Sequence, residues 1–130
     1  MPLEISVKET KPGAFLVILT GELDTNTYGK LEQELDPILV RAAVIIFELK
    51  ELTYISSMGL RTLAKIRKTM EEKGGSVMLV NPQPQVKHVF EAVQFLSDSL
   101  LSSLEEADEL LDSYLNKIQK GEIAPRKPQA

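Results

Sequence analysis

Val44-Ile45-Ile46-Phe47-Glu48-Leu49, followed a few residues later by Tyr54-Ile55-Ser56-Ser57-Met58-Gly59-Leu60-Arg61-Thr62-Leu63, joins two different periodicities. Residues 44–47 are continuously apolar and β-branched at three of four positions. That is the composition of a central strand covered on both faces. From Leu60 onward, Leu60, Leu63, Ala64, Arg67 and Met70 fall at helical spacing with one apolar face. Lys73-Gly74-Gly75 closes that helix, with glycine as its C-terminal cap. Residues 52–59 therefore read as a loop from the carboxyl end of a buried strand to a helix N-terminus. Open α/β sheets gather functional sites at such strand ends.

The pattern extends in both directions. Upstream, residues 5–8 alternate weakly and residues 14–19 are apolar, on either side of the turn signal Lys11-Pro12-Gly13. Together they predict a hairpin. Gly21 is expected to end its second strand, and Asp24 or Thr25 to cap a helix carrying Tyr28, Leu31, Leu35, Ile38 and Leu39. Pro37 is expected to kink or break that helix near its last turn, because it lacks a backbone donor. Downstream, residues 77–80 form a short buried strand, and Asn81-Pro82-Gln83-Pro84 turns the chain into a helix with Val86, Val89, Phe90 and Val93 on one face. A short edge strand is expected within residues 97–102. Ser103 and Glu106 make a capping box for a last helix striped by Leu104, Ala107, Leu111, Tyr114, Leu115 and Ile118.

The order is β-β-α-β-α-β-α-(β)-α. It implies an α/β fold: a mixed sheet whose later strands run parallel through helical crossovers, with helices mainly on one face. Residues 14–19 and 44–47 belong near the sheet centre. Residues 1–118 are expected to form a single domain. Residues 119–130, poor in apolar side chains, are expected to be a disordered tail.

A chain of 130 residues fits one domain. With 15 Lys+Arg against 19 Asp+Glu, its net charge is −4, which argues against nucleic acid as a direct partner. It has no cysteine, which excludes disulfides and thiol chemistry. One histidine, His88, excludes a His-rich metal site within one chain. Met1-Pro2-Leu3-Glu4-Ile5 has neither the basic start nor the apolar run of a signal peptide. No stretch reaches the roughly 18 apolar residues of a membrane span. A cytoplasmic protein without a cofactor is expected.

Ser56 and Ser57 divide two readings. One serine should cap the helix by accepting from a first-turn N–H. The other would then present its hydroxyl for phosphorylation. A phosphate suits that place locally, because helix N-termini offer unpaired N–H groups and the positive end of the dipole. Arg61 lies one turn after Ser57, and Lys65, Arg67 and Lys68 continue a basic strip. Such a strip is either a solvated face or a docking surface for an acidic partner. Asp24 is expected at the same sheet edge as Ser57, and Glu48 to face solvent or that edge. His88 falls on the polar side of its helix. No G-x-S-x-G elbow and no Walker-type loop occurs.

Three strings resemble the STAS domain, and within it the free-standing bacterial anti-sigma factor antagonists. They are Leu19-Thr20-Gly21-Glu22-Leu23-Asp24, residues 44–49 leading to residues 54–63, and Val77-Met78-Leu79-Val80-Asn81 with the helix after it. The resemblance spans roughly residues 3–115. It implies that Ser57 is phosphorylated by a partner that is both anti-sigma factor and serine kinase, of the GHKL ATPase type. The unphosphorylated form would bind that partner and release the sigma factor, and a serine phosphatase would reset the cycle. Asp24, Ser56, Ser57, Gly59 and Arg61 would form the partner-binding surface. Two positions depart from the family pattern: Ser56 and Glu48 stand where relatives carry aspartate. Ser56 is an alternative acceptor. The rival readings are a constitutive scaffold subunit of a larger complex, stressosome-like or in lipid transport, and a nucleotide- or small-molecule-binding domain.

Overall fold

The computed structural model describes residues 2–93 and 100–101. Alternation sets the first two strands, β1 (Leu3–Lys11) and β2 (Ala14–Leu23), which pair antiparallel. Gly13 turns the hairpin at φ 79°, a conformation glycine adopts without a Cβ clash. The Glu9 carboxylate accepts from the Gly13 N–H at 3.0 Å and steadies the turn. Helix α1 (Tyr28–Leu39) then crosses to β3 (Val44–Ile55), parallel to β2. Helix α2 (Ser57–Glu72) crosses to β4 (Ser76–Val80), and α3 (Pro84–Val93) to the two-residue β5 (Leu100–Leu101). The sheet order is β1-β2-β3-β4-β5, with every pair after the hairpin parallel. This is the expected mixed α/β sheet, with β2 and β3 interior and β5 on the edge foreseen within residues 97–102.

The pleat sorts the core. Phe15, Val17 and Leu19 of β2, Ile45, Phe47 and Leu49 of β3, and Val77 and Leu79 of β4 share one cluster. That cluster takes Leu31 and Leu35 from α1, Leu63, Ile66 and Met70 from α2, and Val86 and Phe90 from α3. The alternate residues Ala14, Val44, Ile46 and Val80 form a second, smaller cluster with no helical member. All three described helices therefore lie on one face, as the period-2 alternation of strand side chains requires.

Several expectations needed correction. Strand β2 does not end at Gly21 but continues to Leu23, through a register shift between Gly21 and Glu22. Gly21 holds φ 111°, and a Cβ there would stand 2.2 Å from the Pro2 carbonyl oxygen, where β1 begins. Strand β3 is three times its expected length, because buried Leu52 and Ile55 pair with Gly21 and Leu23 beyond an irregularity. The expected loop over residues 52–59 is thus strand up to Ile55, then the Ser56 cap and the first turn of α2. Strand β4 stops opposite Glu48. Further along, Gln83 and Gln85 donate side-chain N–H groups to the carbonyls of Lys50 (2.8 Å) and Thr53 (3.0 Å). These amides satisfy β3 on the side that β4 no longer covers. Helix α1 passes Pro37 and ends two residues later. The last expected helix and the tail lie outside the described residues.

Candidate functional site

The site is built where β2 ends and α2 begins. The Ser56 N–H donates to the Leu23 carbonyl at 2.9 Å, tying the two together. A Cβ on Gly59 would meet the Leu23 carbonyl oxygen at 2.5 Å and Leu23 Cγ at 2.8 Å. Only glycine permits that approach without a shift. Gly59 is buried, so it lies beneath the expected partner surface rather than on it, and what it contributes is closeness.

The two serines divide their work. Ser56 has extended backbone angles (φ −92°, ψ 173°), and its Oγ accepts from the Gly59 N–H at 3.1 Å. It is the N-cap, and it satisfies one of the orphan donors of the first turn. Ser57 is the first helical residue. It is exposed, and its hydroxyl has no hydrogen-bond partner among the described residues. Arg61, one turn on, is also exposed.

Asp24 reaches this edge because Leu23 precedes it, as expected. Neither it nor Thr25 caps α1, however. Thr27 occupies the N-cap position, without a side-chain cap bond. The Asp24 carboxylate instead accepts from the N–H groups of Asn26 (2.9 Å) and Thr27 (3.1 Å), closing an Asx-type turn. Thr27 Oγ1 donates to the Glu22 carbonyl at 2.8 Å and accepts from the Asp24 N–H at 2.9 Å. The sequence rule chose the nearest aspartate before the apolar pattern. The chain spends that carboxylate on a turn one residue triplet earlier. Thr27, buried in this network, carried no sequence signal.

Glu48 differs from expectation more sharply. It is only 8% exposed, and its carboxylate accepts from Asn81 Nδ2 at 3.1 Å and from the Lys50 N–H at 3.1 Å. Asn81 sits at φ 54°, in the left-handed region that asparagine tolerates. The pair ties the middle of β3 to the carboxyl end of β4. His88 is exposed, as its helical phase predicts. Tyr54, in the expected loop, is 50% exposed on β3, two residues before the Ser56 cap. Lys65 pairs with Glu32 of α1 at 3.1 Å, and Arg67 with Glu71 at 2.9 Å. Among the described residues, no cluster of three or more His, Cys, Asp or Glu is placed to hold a metal.

A cap that consumes Ser56 and leaves Ser57 open gives a helix N-terminus that can accept an anion on the first helical residue. The sheet order, the crossovers and this strand-to-helix junction define a domain of the STAS class. Residues 6–121 match the STAS domain family, and the chain belongs to it. It is 30% identical over 96 residues to BtrV of Bordetella bronchiseptica, named as a candidate anti-sigma factor antagonist, covering 73% of this chain and 83% of BtrV. It is 28% identical to the anti-sigma F factor antagonist of Paenibacillus polymyxa, covering 70% of this chain and 79% of that protein. The fold superposes on SpoIIAA in its unphosphorylated form with TM-score 0.76 at 20% identity, covering 85% of this chain and 97% of that one. Against the phosphorylated form the TM-score is 0.71 at 20% identity, covering 83% and 99%. Among the described residues, no helix is long and apolar enough to cross a membrane.

Proposed function

We propose that this STAS domain is an anti-sigma factor antagonist switched by phosphorylation of Ser57. The observation that carries the reading is the division between the serines: Ser56 is engaged as the helix cap, and Ser57 is exposed and unengaged. The named relatives point to the same class of partner. SpoIIAA is known in both phosphorylation states with a fold similar to this one, so the architecture accommodates the modification.

The partner is an anti-sigma factor that is also a serine kinase of the GHKL type and brings its own ATP. Unphosphorylated antagonist binds it through the surface around Asp24, Ser57 and Arg61, and the sigma factor is released. Phosphate on Ser57 adds about −1.5 to −2 charges at a helix N-terminus, where the dipole favours them. The fold therefore survives while the surface changes. Shifting the partner from about 99% bound to about 1% bound takes roughly 5.5 kcal/mol of differential affinity. A dianion desolvated in a close interface can supply much of it. A serine phosphatase restores the binding form.

The test begins with the protein purified from its source organism. A mass increase of about 80 Da, one phosphate, should map to Ser57. Ser57→Ala should keep anti-sigma factor binding, and Ser57→Asp should weaken it at least about tenfold. Phosphate on Ser56, or equal binding by both variants, would overturn the reading and favour a constitutive scaffold.

A further inference from the structure

Ser57, Arg61, Ala64, Lys65 and Lys68 share one outward face of α2, since about 100° per residue brings positions four, seven, eight and eleven back near the start. Along that face runs an open concavity of about 760 Å³, lined by Arg61, Ala64, Lys65, Arg67, Lys68 and the two glutamates that follow. Its cations are not equivalent. Lys65 and Arg67 have carboxylate partners on the protein. Arg61 and Lys68 have none among the described residues, and both are exposed. They flank Ala64, whose small side chain lets another helix come close. The face measures roughly 16 Å from Ser57 to Lys68. The chain as a whole is acidic, at net charge −4, so this positive stripe is local.

We infer that this face of α2 docks an acidic helical face of the anti-sigma factor, and that phosphate on Ser57 loosens the docking partly by claiming Arg61. The inference rests on the antagonist reading above and adds where, and by what chemistry, the partner is held. Two unpaired cations beside a small residue are complementary to carboxylates on a helix. They are too few, on an acidic chain, to hold a nucleic acid backbone. Arg61 is one turn from Ser57, the spacing at which helical side chains pair. A phosphate there would compete with the partner's carboxylate for the same guanidinium.

The experiment uses the full chain and its anti-sigma factor, with affinity measured by calorimetry at about 50 and about 200 mM salt. Arg61→Glu and Lys68→Glu should each weaken binding about tenfold or more and reduce its salt dependence. Lys8→Glu, the same charge change on the exposed face of β1, should bind like the parent. Unchanged melting temperatures in all three would exclude misfolding. In Arg61→Ala, phosphorylation of Ser57 should cost fewer fold in affinity than in the parent, because the shared cation is gone. Binding by the parent with no effect of Arg61→Glu or Lys68→Glu would sink the docking face and leave the antagonist reading intact. Failure of the parent to bind any anti-sigma factor would sink the antagonist reading first. Self-association lost in Arg61→Glu would assign the face to a second copy. Retention of the parent, but not the variants, by a DNA duplex would assign it to nucleic acid. Either of these two outcomes overturns the inference.

Discussion

Ser56 and Ser57 are chemically identical neighbours with opposite duties, and backbone conformation separates them. Ser56 stands outside the helix with extended angles, so its side chain can fold back onto the Gly59 N–H. Ser57 is inside the helix, and its hydroxyl faces out. Removing the first should therefore cost stability, and removing the second should not. Ser56→Ala is expected to lower unfolding free energy by about 1 kcal/mol. Ser57→Ala should stay within about 0.5 kcal/mol of the parent. Urea unfolding of the two variants checks the contrast; equal losses would mean the cap assignment is wrong. Aspartate is a good N-cap as well as serine. Serine at position 56, where the family pattern implies aspartate, therefore keeps the helix start.

At the scale of elements, the β1–β2 hairpin is held by more than its ladder. Glu9 accepts the Gly13 N–H across the turn, and Arg41, which follows α1, pairs with the same carboxylate at 3.3 Å. The Arg41 guanidinium also lies 4.8 Å from the centre of the Phe15 ring. The Gly13 N–H above all holds the Glu9 carboxyl below its ordinary value of 4.5; desolvation opposes it, and Arg41 adds a further lowering. A depressed carboxylate pKa contributes stability that is present above the unfolded-state value. That contribution is lost as pH falls through the lower folded value. Glu9→Gln should therefore lower stability slightly near neutrality and reduce the acid sensitivity of the fold below about pH 4.5. Urea midpoints of parent and variant across that range would show the two curves converging at low pH. Parallel curves would mean that Glu9 contributes nothing.

The whole molecule hangs on its central strand. Strand β3 pairs with both β2 and β4, and its Phe47 is fully buried beneath the helices. Phe47→Ala should cost about 3–5 kcal/mol, because it removes buried area and leaves a cavity. That is a large share of the roughly 5–15 kcal/mol of a typical domain. Denaturant unfolding should show the midpoint collapsing with the slope little changed. A loss below about 1 kcal/mol would mean that the core around Phe47 closes in. The same strand carries the site. Its extension to Ile55 runs beside the end of β2, so the turn at Asp24 and the start of α2 meet at one corner. A partner binding there touches residues that are far apart in sequence.

Periodicity and composition alone determined the order of the described elements, the mixed sheet, the single-sided helices and the serine pair at a helix start. Each of these rests on local preference: runs of β-branched residues, apolar spacing near 3.6, glycine at a helix end. The tertiary structure decided what local preference leaves open. Leu49-Lys50-Glu51-Leu52-Thr53-Tyr54 is too charged to look like strand, and becomes strand because β2 offers a pairing edge and the core takes Leu49 and Leu52. Asp24 looked like a cap, and its partners are turn amides that no spacing rule specifies. Glu48 looked like a surface carboxylate, and it is buried because Asn81, distant in sequence, brings it an N–H. Gly59 looked like motif surface, and it is buried because Leu23 needs the space a side chain would fill. Hydrogen bonds and close contacts between distant segments are properties of the folded arrangement, and a one-dimensional pattern records only the residues that make them possible.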